Sequence, residues 1–589
     1  MAEPSAAATQ VPAARGPFAA RLALKLVGEA LGSKCEQVVK CLIDHGVQQY
    51  GDLVRHSGLP PGQLRAALLM LVQHNYVNCY LKQEPPTLRG PGPEYTLYEV
   101  ALSRILQILR VPRFLTHIAD EHGQDSVRLM YLLLEHGRLR WGQLLDAVMA
   151  EAAEEEGEEA APSADVLANK FRSLVIERYV ERVPPCNLPP PAQQVHPNAR
   201  KKKAAPKPGS EEEADMHREQ AEAAQRQLYQ EVRFQLLDDL SGGGGSGAAA
   251  AVDKQDKPAS KRKRGRDAAA EEPAKKKGRK KGGGDDAGGA AAAAASPRAA
   301  GAAQGEGEPV LWRVNFDEFN RRFRNEVVAS TIKLRYGIPA GQAVMGLLMA
   351  NARFEHASRT SETVVLSVGD ARSVLMRAHG HEEVPEDMQQ VLRELSEDEL
   401  KFLDPRGSGP GGEQYVMHLP LVLNMARLLD MQAVIRNKFG PHGVRIWRLL
   451  LINGQLEQKQ VADLAMITKE EAREKLYAML KSGYLGLQDV PRTADHAPSR
   501  TFYTWRANMD AGIARVASDL YRAAGNLHAR LTHELTKQQE LVDLLEDGHV
   551  AGHVLERRRD EIQMLRAVNT RLEASLMDLD FQICKFCDV

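Results

Sequence analysis

The sequence predicts a mainly α-helical chain with small β-hairpins, built from repeated modules and closed by a pair of long C-terminal helices. Three observations predict it. Residues 444–506 carry three helical apolar stripes followed by two strand-like runs, and related patterns recur at matching spacing near the N-terminus. Beyond Trp505 apolar residues recur by fours and threes, the period of a coiled coil.

In 444–506, Val444, Trp447, Leu450 and Leu451 share one face of a helix that Gly454 ends. A short second helix turns Val461, Leu464 and Ala465 inward. The third opens at Thr468 with Glu471 three residues on, a capping box in which hydroxyl and carboxylate each satisfy an orphan backbone donor. Its stripe is Ala472, Leu476, Met479 and Leu480, and Gly483 closes it. Residues 484–487 and 501–505 then pair as strands around the loop 489–500. Helix, short helix, helix, hairpin is the order of a winged helix, a helix-turn-helix variant.

A chain of 589 residues has room for roughly three to five such domains. Its 77 basic and 78 acidic side chains give a net charge of −1, so the whole molecule is not a polybasic nucleic-acid binder. Charge is segregated along the chain instead. Six cysteines without a secretory leader predict reduced intracellular thiols. No run of about 18 apolar residues exists, so no membrane span is expected. Residues 1–17 are Ala-rich but carry Glu3 and few arginines, which predicts a disordered tail rather than a transit peptide.

The first module spans 18–98. Gly46 matches Gly454 and Tyr76 matches Tyr484, with 30 residues between glycine and tyrosine in both copies. Pro60 and Pro61 stiffen the start of the third helix. In the second module, 99–183, the interval from Gly137 to Tyr179 is 42 residues, and an acidic run of 12 (151–162) sits where the turn belongs. Removing it restores the register, as expected for an insertion in a surface turn. His45 and His136 precede the matching glycines. A metal or catalytic role is conceivable for them, but a helix C-terminus with imidazole near the negative dipole end accounts for the placement.

Residues 184–308 are rich in Pro, Gly, Ala, Lys and Glu and are expected to be disordered, with a potential helix at 211–240. Two basic clusters, Lys261, Arg262, Lys263 and Arg264, then Lys275, Lys276, Lys277, Arg279, Lys280 and Lys281, have the spacing of a bipartite nuclear localisation signal. They predict a nuclear protein. A solvated linker and nonspecific phosphate binding are the competing readings.

A third winged helix, the most divergent, is expected at 309–422. Phe316, Phe319, Phe323 and Val327 share one face of its first helix, with Arg321, Arg322 and Arg324 expected outside. Helices near 340–354, 370–377 and 385–397, a short strand at 364–366 and a Gly-rich hairpin between 401–403 and 414–419 follow. The fourth module is 423–507. Residues 508–589 are expected to fold back as an antiparallel coiled coil turning near 546–552. One seam is Ile562, Leu565, Asn569, Leu572, Leu576, Leu579, Ile583 and Phe586; a looser one runs through Ile513, Val516, Leu520, Ala523, Leu527, Leu531 and Leu535. Pairing with a partner's helix is the rival arrangement.

No Walker loop, dinucleotide fingerprint, HExxH or GxSxG occurs. Cys584 and Cys587 form a CxxC without a second pair, too few ligands for a structural zinc. A non-enzymatic protein without cofactor, metal or catalytic residues is expected. The third helices do not suit base reading, which leans on Arg, Asn and Gln backed by positive charge. In 469–481, Lys469, Arg473, Lys475 and Lys481 alternate with Glu470, Glu471 and Glu474.

The segments EQKQVADLAMITKEEAREKLYAML (457–480) and TADHAPSRTFYTW (493–505), with weaker echoes at 71–77 and 315–327, carry a resemblance. In them the chain resembles the winged-helix subunits of the RNA polymerase III-specific heterotrimer, relatives of the alpha subunit of TFIIE. The likeness excludes the tail and most of the linker, whose basic runs and polyalanine depart from the family pattern. It implies four winged helices and a coiled coil seated on the polymerase clamp. It also implies partner polymerase subunits, engagement of promoter-bound TFIIIB, DNA opening and initiation on small non-coding RNA genes, with catalysis in other subunits. The alternative is a free-standing winged-helix transcription regulator that dimerises through 510–586. A scaffold of a degradation or chromatin complex is a third class. Candidate contacts to promoter DNA, single-stranded and non-specific, are Lys170, Arg172, Arg178, Lys469, Arg473, Arg492 and Arg500. No membrane partner is expected.

Overall fold

The computed structural model describes residues 16–83, 94–156, 163–184, 227–236, 310–355, 360–380, 384–409, 411–491, 501–546 and 558–588. Helix α1 (Pro17–Leu31) lies on α2 (Ser33–His45), which Gly46 ends at φ +76°. There follow β1 (Gln48–Gln49), α3 (Tyr50–Ser57), α4 (Pro61–Gln73), β2 (Val77–Gln83) and β3 (Glu94–Val100), in a sheet ordered β1-β3-β2. Helix α5 (Leu102–Leu106), a 3-10 turn and α6 (Val111–His122) lead to α7 (Gln124–His136), α8 (Trp141–Glu156), α9 (Ala164–Ile176) and β4 (Val180–Arg182).

Strand β4 finds its partner across the linker. It pairs antiparallel with β5 (Trp312–Val314), and Leu139 bridges Trp312 on the other side. Residues 310–315 therefore complete the second module, and the long linker enters and leaves through its wing rather than separating two domains. The boundary expected at 308/309 shifts accordingly. Short strands that pair only with distant residues leave no local periodicity to betray them.

The third module is α10 (Phe316–Tyr336), α11 (Ile338–Asn351), β6 (Leu366–Ser367), α12 (Val368–His379), α13 (Met388–Ser396), β7 (Leu403–Gly409) and β8 (Gly412–Met417), with sheet order β6-β8-β7. Helix α14 (Leu419–Asn453) breaks at Gly440, φ +78°, where Pro441 begins the first helix of the fourth module. Next come β9 (Gln455–Glu457), α15 (Gln458–Ala465), α16 (Lys469–Lys481), β10 (Leu485–Pro491) and β11 (Thr501–Ala507), ordered β10-β11-β9. The chain ends in α17 (Met509–Lys537), α18 (Gln539–Glu546), α19 (Arg559–Ile583) and a wide final turn over Cys584–Asp588.

One corner recurs in all four modules. After the third helix a residue turns left-handed, Asn75 (φ +61°), Arg178 (+69°), Lys401 (+46°) or Gly483 (+83°), and an aromatic follows it. Tyr179, Phe402 and Tyr484 are fully buried and Tyr76 partly so. In three modules the aromatic's N–H donates back to the helix, Tyr76 to Leu71, Tyr179 to Leu174 and Tyr484 to Met479, at 2.9–3.0 Å. This is the Schellman closure that satisfies orphan carbonyls. The aromatic carbonyl in turn accepts from the residue after the last strand: Ala101, Asn315 and His418 at 2.8 Å, Asn508 at 3.4 Å. Asn315 in that role marks β5 as the second module's closing strand.

Several local expectations change. Thr468 does accept from the Glu471 N–H at 3.2 Å, but the reciprocal capping box forms between Glu457 and Gln460, while the Glu471 carboxylate lies 3.7 Å from His442. Leu464 is exposed and Ala462 takes its inward place. Arg321 and Arg324, expected outside, are buried, because α10 is covered on several sides and each guanidinium has a carboxylate: Arg321 on Glu318, Arg324 on Glu355 at 2.6 and 2.9 Å. In α17 the buried stripe is Ile513, Val516, Ala517, Tyr521, Ala524 and His528, so Leu520 and Leu527 sit at its margin. The helix has more than one apolar neighbour, α19 and α1, and its stripe follows a helical rather than a heptad period. Helices α17 and α19 pack on each other, and Leu541 of α18 meets Ile562 and Leu565 at the start of α19. The expected turn near 546–552 falls almost wholly outside the described residues.

The modules are not beads on a string. One apolar core runs from Leu22, Val38 and Leu71 of the first module through Ile513, Tyr521, Ile583 and Phe586 to Trp447, Leu476 and Trp505 of the fourth. The third module is tied to the same centre by Arg110. Its guanidinium, 2% exposed, donates to Asp580 at 2.7 and 3.1 Å, to Asp588 at 2.9 Å and to Asn320 of α10 at 2.8 Å. Burial lowers the Arg110 pKa, but the acidic groups around it outweigh this and hold it well above its ordinary value.

Removing one partner from a buried ion pair leaves an uncompensated charge, a loss of about 3–5 kcal/mol. Asp580→Ala should therefore lower the urea midpoint of the chain sharply, and Arg110→Met combined with Asp580→Leu should recover much of the loss. Equal losses in the single and double variants would contradict the Arg110 lock.

Candidate functional site

The third helices and wings carry the residues a winged helix would present to nucleic acid. In the second module they are largely spent on the fold. Lys170 on α9 donates to the His122 carbonyl at 2.8 Å, and Arg172 reaches Asn169 at 3.1 Å. Arg178, the left-handed corner residue, donates to the carbonyls of Ala352, Arg353 and Glu355 at 3.1, 2.8 and 2.7 Å. Those are orphan acceptors at and beyond the end of α11. Desolvation lowers the Arg178 pKa. It staples the second module to the third.

The fourth module differs. Lys469 and Arg473 stand exposed on α16, and the Arg473 guanidinium lies 6.0 Å from the Tyr477 ring centroid. Tyr477 in turn meets Trp505 edge-on at 5.2 Å. In the β10–β11 hairpin, Asp489 faces Tyr503, Val490 faces Phe502 and Pro491 faces Thr501. Leu487, Val490, Phe502 and Tyr503 are all more than a third exposed there. This rim combines cations with apolar and aromatic surface. Arg492 and Arg500 belong to the wing between these strands and lie outside the described residues. So do Lys261–Arg264 and the basic residues 275–281. The face remains charge-balanced, since Lys475 pairs with Glu474 at 3.4 Å.

The module junctions hold arginine–carboxylate networks that periodicity alone did not reveal. Glu181, 2% exposed, accepts from Arg233 at 2.5 Å and Arg313 at 2.7 Å. Burial raises its pKa, yet Arg313, Arg233 and Arg104 together hold it below the usual carboxylate range. Arg233 comes from the described part of the predicted helical island, residues 227–236, whose backbone also bonds Arg182. Asn75 accepts from Arg138 at 2.9 Å and Arg313 at 3.3 Å, joining the first two modules. Gly137 is needed at the same junction: at φ +77° its Cβ would fall 2.2 Å from the Gln73 carbonyl oxygen. Arg322 bridges Glu121 at 2.7 Å, Glu177 at 3.3 Å and Glu318 at 3.0 Å. The available signal was the density of arginines among the phenylalanines of 315–327, too many for a helix with one buried face.

Cys584 and Cys587 are buried, and burial pushes each thiol up to about 12. They serve as packed thiols beside Arg110 and Tyr521. His45 and His136 close α2 and α7 ahead of positive-φ glycines. The cleft between the first two modules, lined by His74, Asn75, Arg104, Tyr131, Glu135 and Phe316 among others, holds no Ser, Thr, Cys or Asp in its wall. No helix among the described residues is long and apolar enough to cross a membrane.

Comparison with known proteins gives concordant matches in three parts of the chain. Residues 21–81 match the family described as the RNA polymerase III subunit RPC82 helix-turn-helix domain. Residues 169–419 match RNA polymerase III subunit RPC82, and 431–507 match the C-terminal winged-helix domain of POLR3C. The match from 169 to 419 runs across the linker, as the β4–β5 pairing requires. DNA-directed RNA polymerase III subunit RPC3 of Homo sapiens is 25% identical over 537 residues, covering 89% of this chain and 85% of its own. The Danio rerio subunit of the same name is 25% identical over 540 residues, 89% and 86%. The Rattus norvegicus subunit is 32% identical over 235 residues, 40% and 43%.

Hydrogen bonds to a charged donor contribute about 1.5–3 kcal/mol each. Arg178→Ala should destabilise the junction by at least about 2 kcal/mol in chemical denaturation while leaving single-stranded DNA affinity unchanged. Lys469→Glu with Arg473→Glu should do the reverse, with stability held within about 0.5 kcal/mol. A DNA-binding loss in Arg178→Ala at undiminished stability would overturn the staple assignment.

Proposed function

Because the chain belongs to the RPC82/RPC3 family of RNA polymerase III subunits, we propose that it serves as a non-catalytic subunit of DNA-directed RNA polymerase III. It works in the nucleus with the other polymerase III subunits, within a heterotrimer that supports recruitment through TFIIIB, DNA opening and initiation on small non-coding RNA genes. The observation that carries this reading is the agreement of relatives over nearly nine-tenths of the chain with a fold whose second module spends its candidate cations on the protein itself. Three of seven candidate cations are half-buried or bonded within the protein. A module that must lie in a major groove keeps its recognition helix free and cationic.

What remains for nucleic acid is the rim of the fourth module. Lys469 and Arg473 lie exposed on α16, Arg473 beside Tyr477, and Tyr477 meets Trp505 of the hairpin that exposes Phe502 and Tyr503. Arg492 and Arg500 belong to the wing by sequence. Cations tracking a backbone and rings accepting stacked bases suit single strands without sequence preference. The basic clusters Lys261–Arg264 and 275–281 serve nuclear import. A free-standing dimer is disfavoured by a specific observation: Ile513, Tyr521, Ile583 and Phe586, the surface it would need, are buried against the chain's own first and fourth modules.

Affinity purification of the tagged full chain from nuclei should recover the polymerase III-specific subunits. Recovery without any of them would remove the polymerase assignment. Charge reversal at Arg492 and Arg500 together should weaken single-stranded DNA binding and reduce the slope of log affinity against log salt by up to about 1.4, at about 0.7 per lost phosphate contact. An unchanged affinity and slope would retire the wing as a DNA contact.

A further inference from the structure

Away from these surfaces, three metal-ligating side chains meet on the first module. Cys41 and His45 stand four residues apart on α2 and so share one face. His56 comes across from α3. One ligand atom of each lies within 4.8 Å of the other two. The two imidazoles stack, with ring centroids 4.5 Å apart. Cys41 is buried and both histidines are exposed, so the cluster has a closed floor and a mouth open to solvent.

We propose that Cys41, His45 and His56 form a binding site for a divalent transition-metal ion of the zinc class, with a solvent molecule as fourth ligand. One thiolate and two imidazoles are the donor set such a borderline ion prefers, and three protein ligands with one solvent position is a known open tetrahedral arrangement. In a tetrahedral zinc site the ligand atoms lie about 3.4–3.6 Å apart. The cluster therefore needs to contract by about 1 Å, a movement that rotation of two exposed imidazoles supplies.

The surroundings match the bound state as well. Buried Gln48 accepts from the Cys41 thiol at 3.6 Å and lies 3.2 Å from His56 Nδ1 through its amide nitrogen. Turning that amide over presents its N–H to a Cys41 thiolate and its oxygen to a protonated His56 Nδ1. The second imidazole nitrogen is then free for the ion, and Gln48 supports both ligands at once. Burial and the neighbouring Asp44 raise the Cys41 pKa, so the ion must displace a proton. The S–H bond breaks, a metal–sulfur bond forms and the proton passes to solvent. The other three-ligand group, Glu121, His122 and Glu177, lacks this opportunity, because Arg322 already neutralises both carboxylates. A bound ion would clip α2 to α3, the first two helices of the helix-turn-helix.

The test is titration of the full-length chain, stripped with a chelator, with cobalt(II) and then zinc(II). The expected result is a thiolate-to-cobalt charge-transfer band with the intense visible bands of a tetrahedral centre, displaced by zinc. His56→Ala, at an exposed position, should weaken zinc binding about ten-fold or more. Cys41→Ser should abolish the charge-transfer band, and His45→Gln should weaken binding independently of any folding defect at the buried cysteine. No charge-transfer band in the unsubstituted chain overturns the proposal. So does a band and zinc affinity unchanged in both histidine variants.

Discussion

The arrangement depends on a buried charge. Arg110 sits where the first module hands the chain to the second, and its partners come from the C-terminal helix and from α10. A guanidinium taken out of water is tolerated only when its donors are met with good geometry, and here two carboxylates and a carboxamide meet them. An apolar contact would hold these elements together in many registers. A planar five-donor fork with three partners accepts few, so this one residue sets how three parts of the chain fit. Glu181, with Arg233 and Arg313, plays a comparable part between the wing of the second module and the segment that returns to it.

Around that lock the protein repeats one local solution. Each third helix ends in a left-handed residue and an aromatic whose carbonyl receives the end of the wing. The repeated corner makes the modules alike; their different surfaces make them useful for different contacts. The second module closes its wing with residues 312–314 from beyond the linker, the first and fourth bury their flanks on α17, and the fourth keeps an exposed aromatic and cationic rim. A subunit of a large polymerase needs such a division, with most faces committed to architecture and few left for partners.

Much of this was legible in the residues. The 30-residue interval from Gly46 to Tyr76 and from Gly454 to Tyr484 marked the modules, because a helix-ending glycine and a corner aromatic obey local rules. The seam from Ile562 to Phe586 was visible because its apolar residues recur at a local period. The acidic run, expected in a turn, instead carries α8 on to Glu156, and its remainder lies outside the described residues. What escaped was non-local. Trp312–Val314 pairs with residues about 130 positions earlier, Arg110 with residues 470 and 478 positions later, and no periodicity encodes either. Arg321 and Arg324 followed the rule that charges face solvent until partners on other elements overruled it. Of the candidate DNA contacts, Arg178 had a visible charge, whereas the three carbonyls it donates to were not legible in the sequence. Cys41, His45 and His56 escaped as a group, since only the packing of α3 on α2 brings His56 to the other two.

The modules are fixed to one another around the C-terminal helices. Crosslinking mass spectrometry on the endogenous complex tests this most directly. The account predicts intrachain links between the first module, through Lys25 or Lys34, and α17 or the fourth module, together with links from this chain to other polymerase III subunits. Links confined within single modules, or a complex with no polymerase subunit joined to this chain, would contradict it.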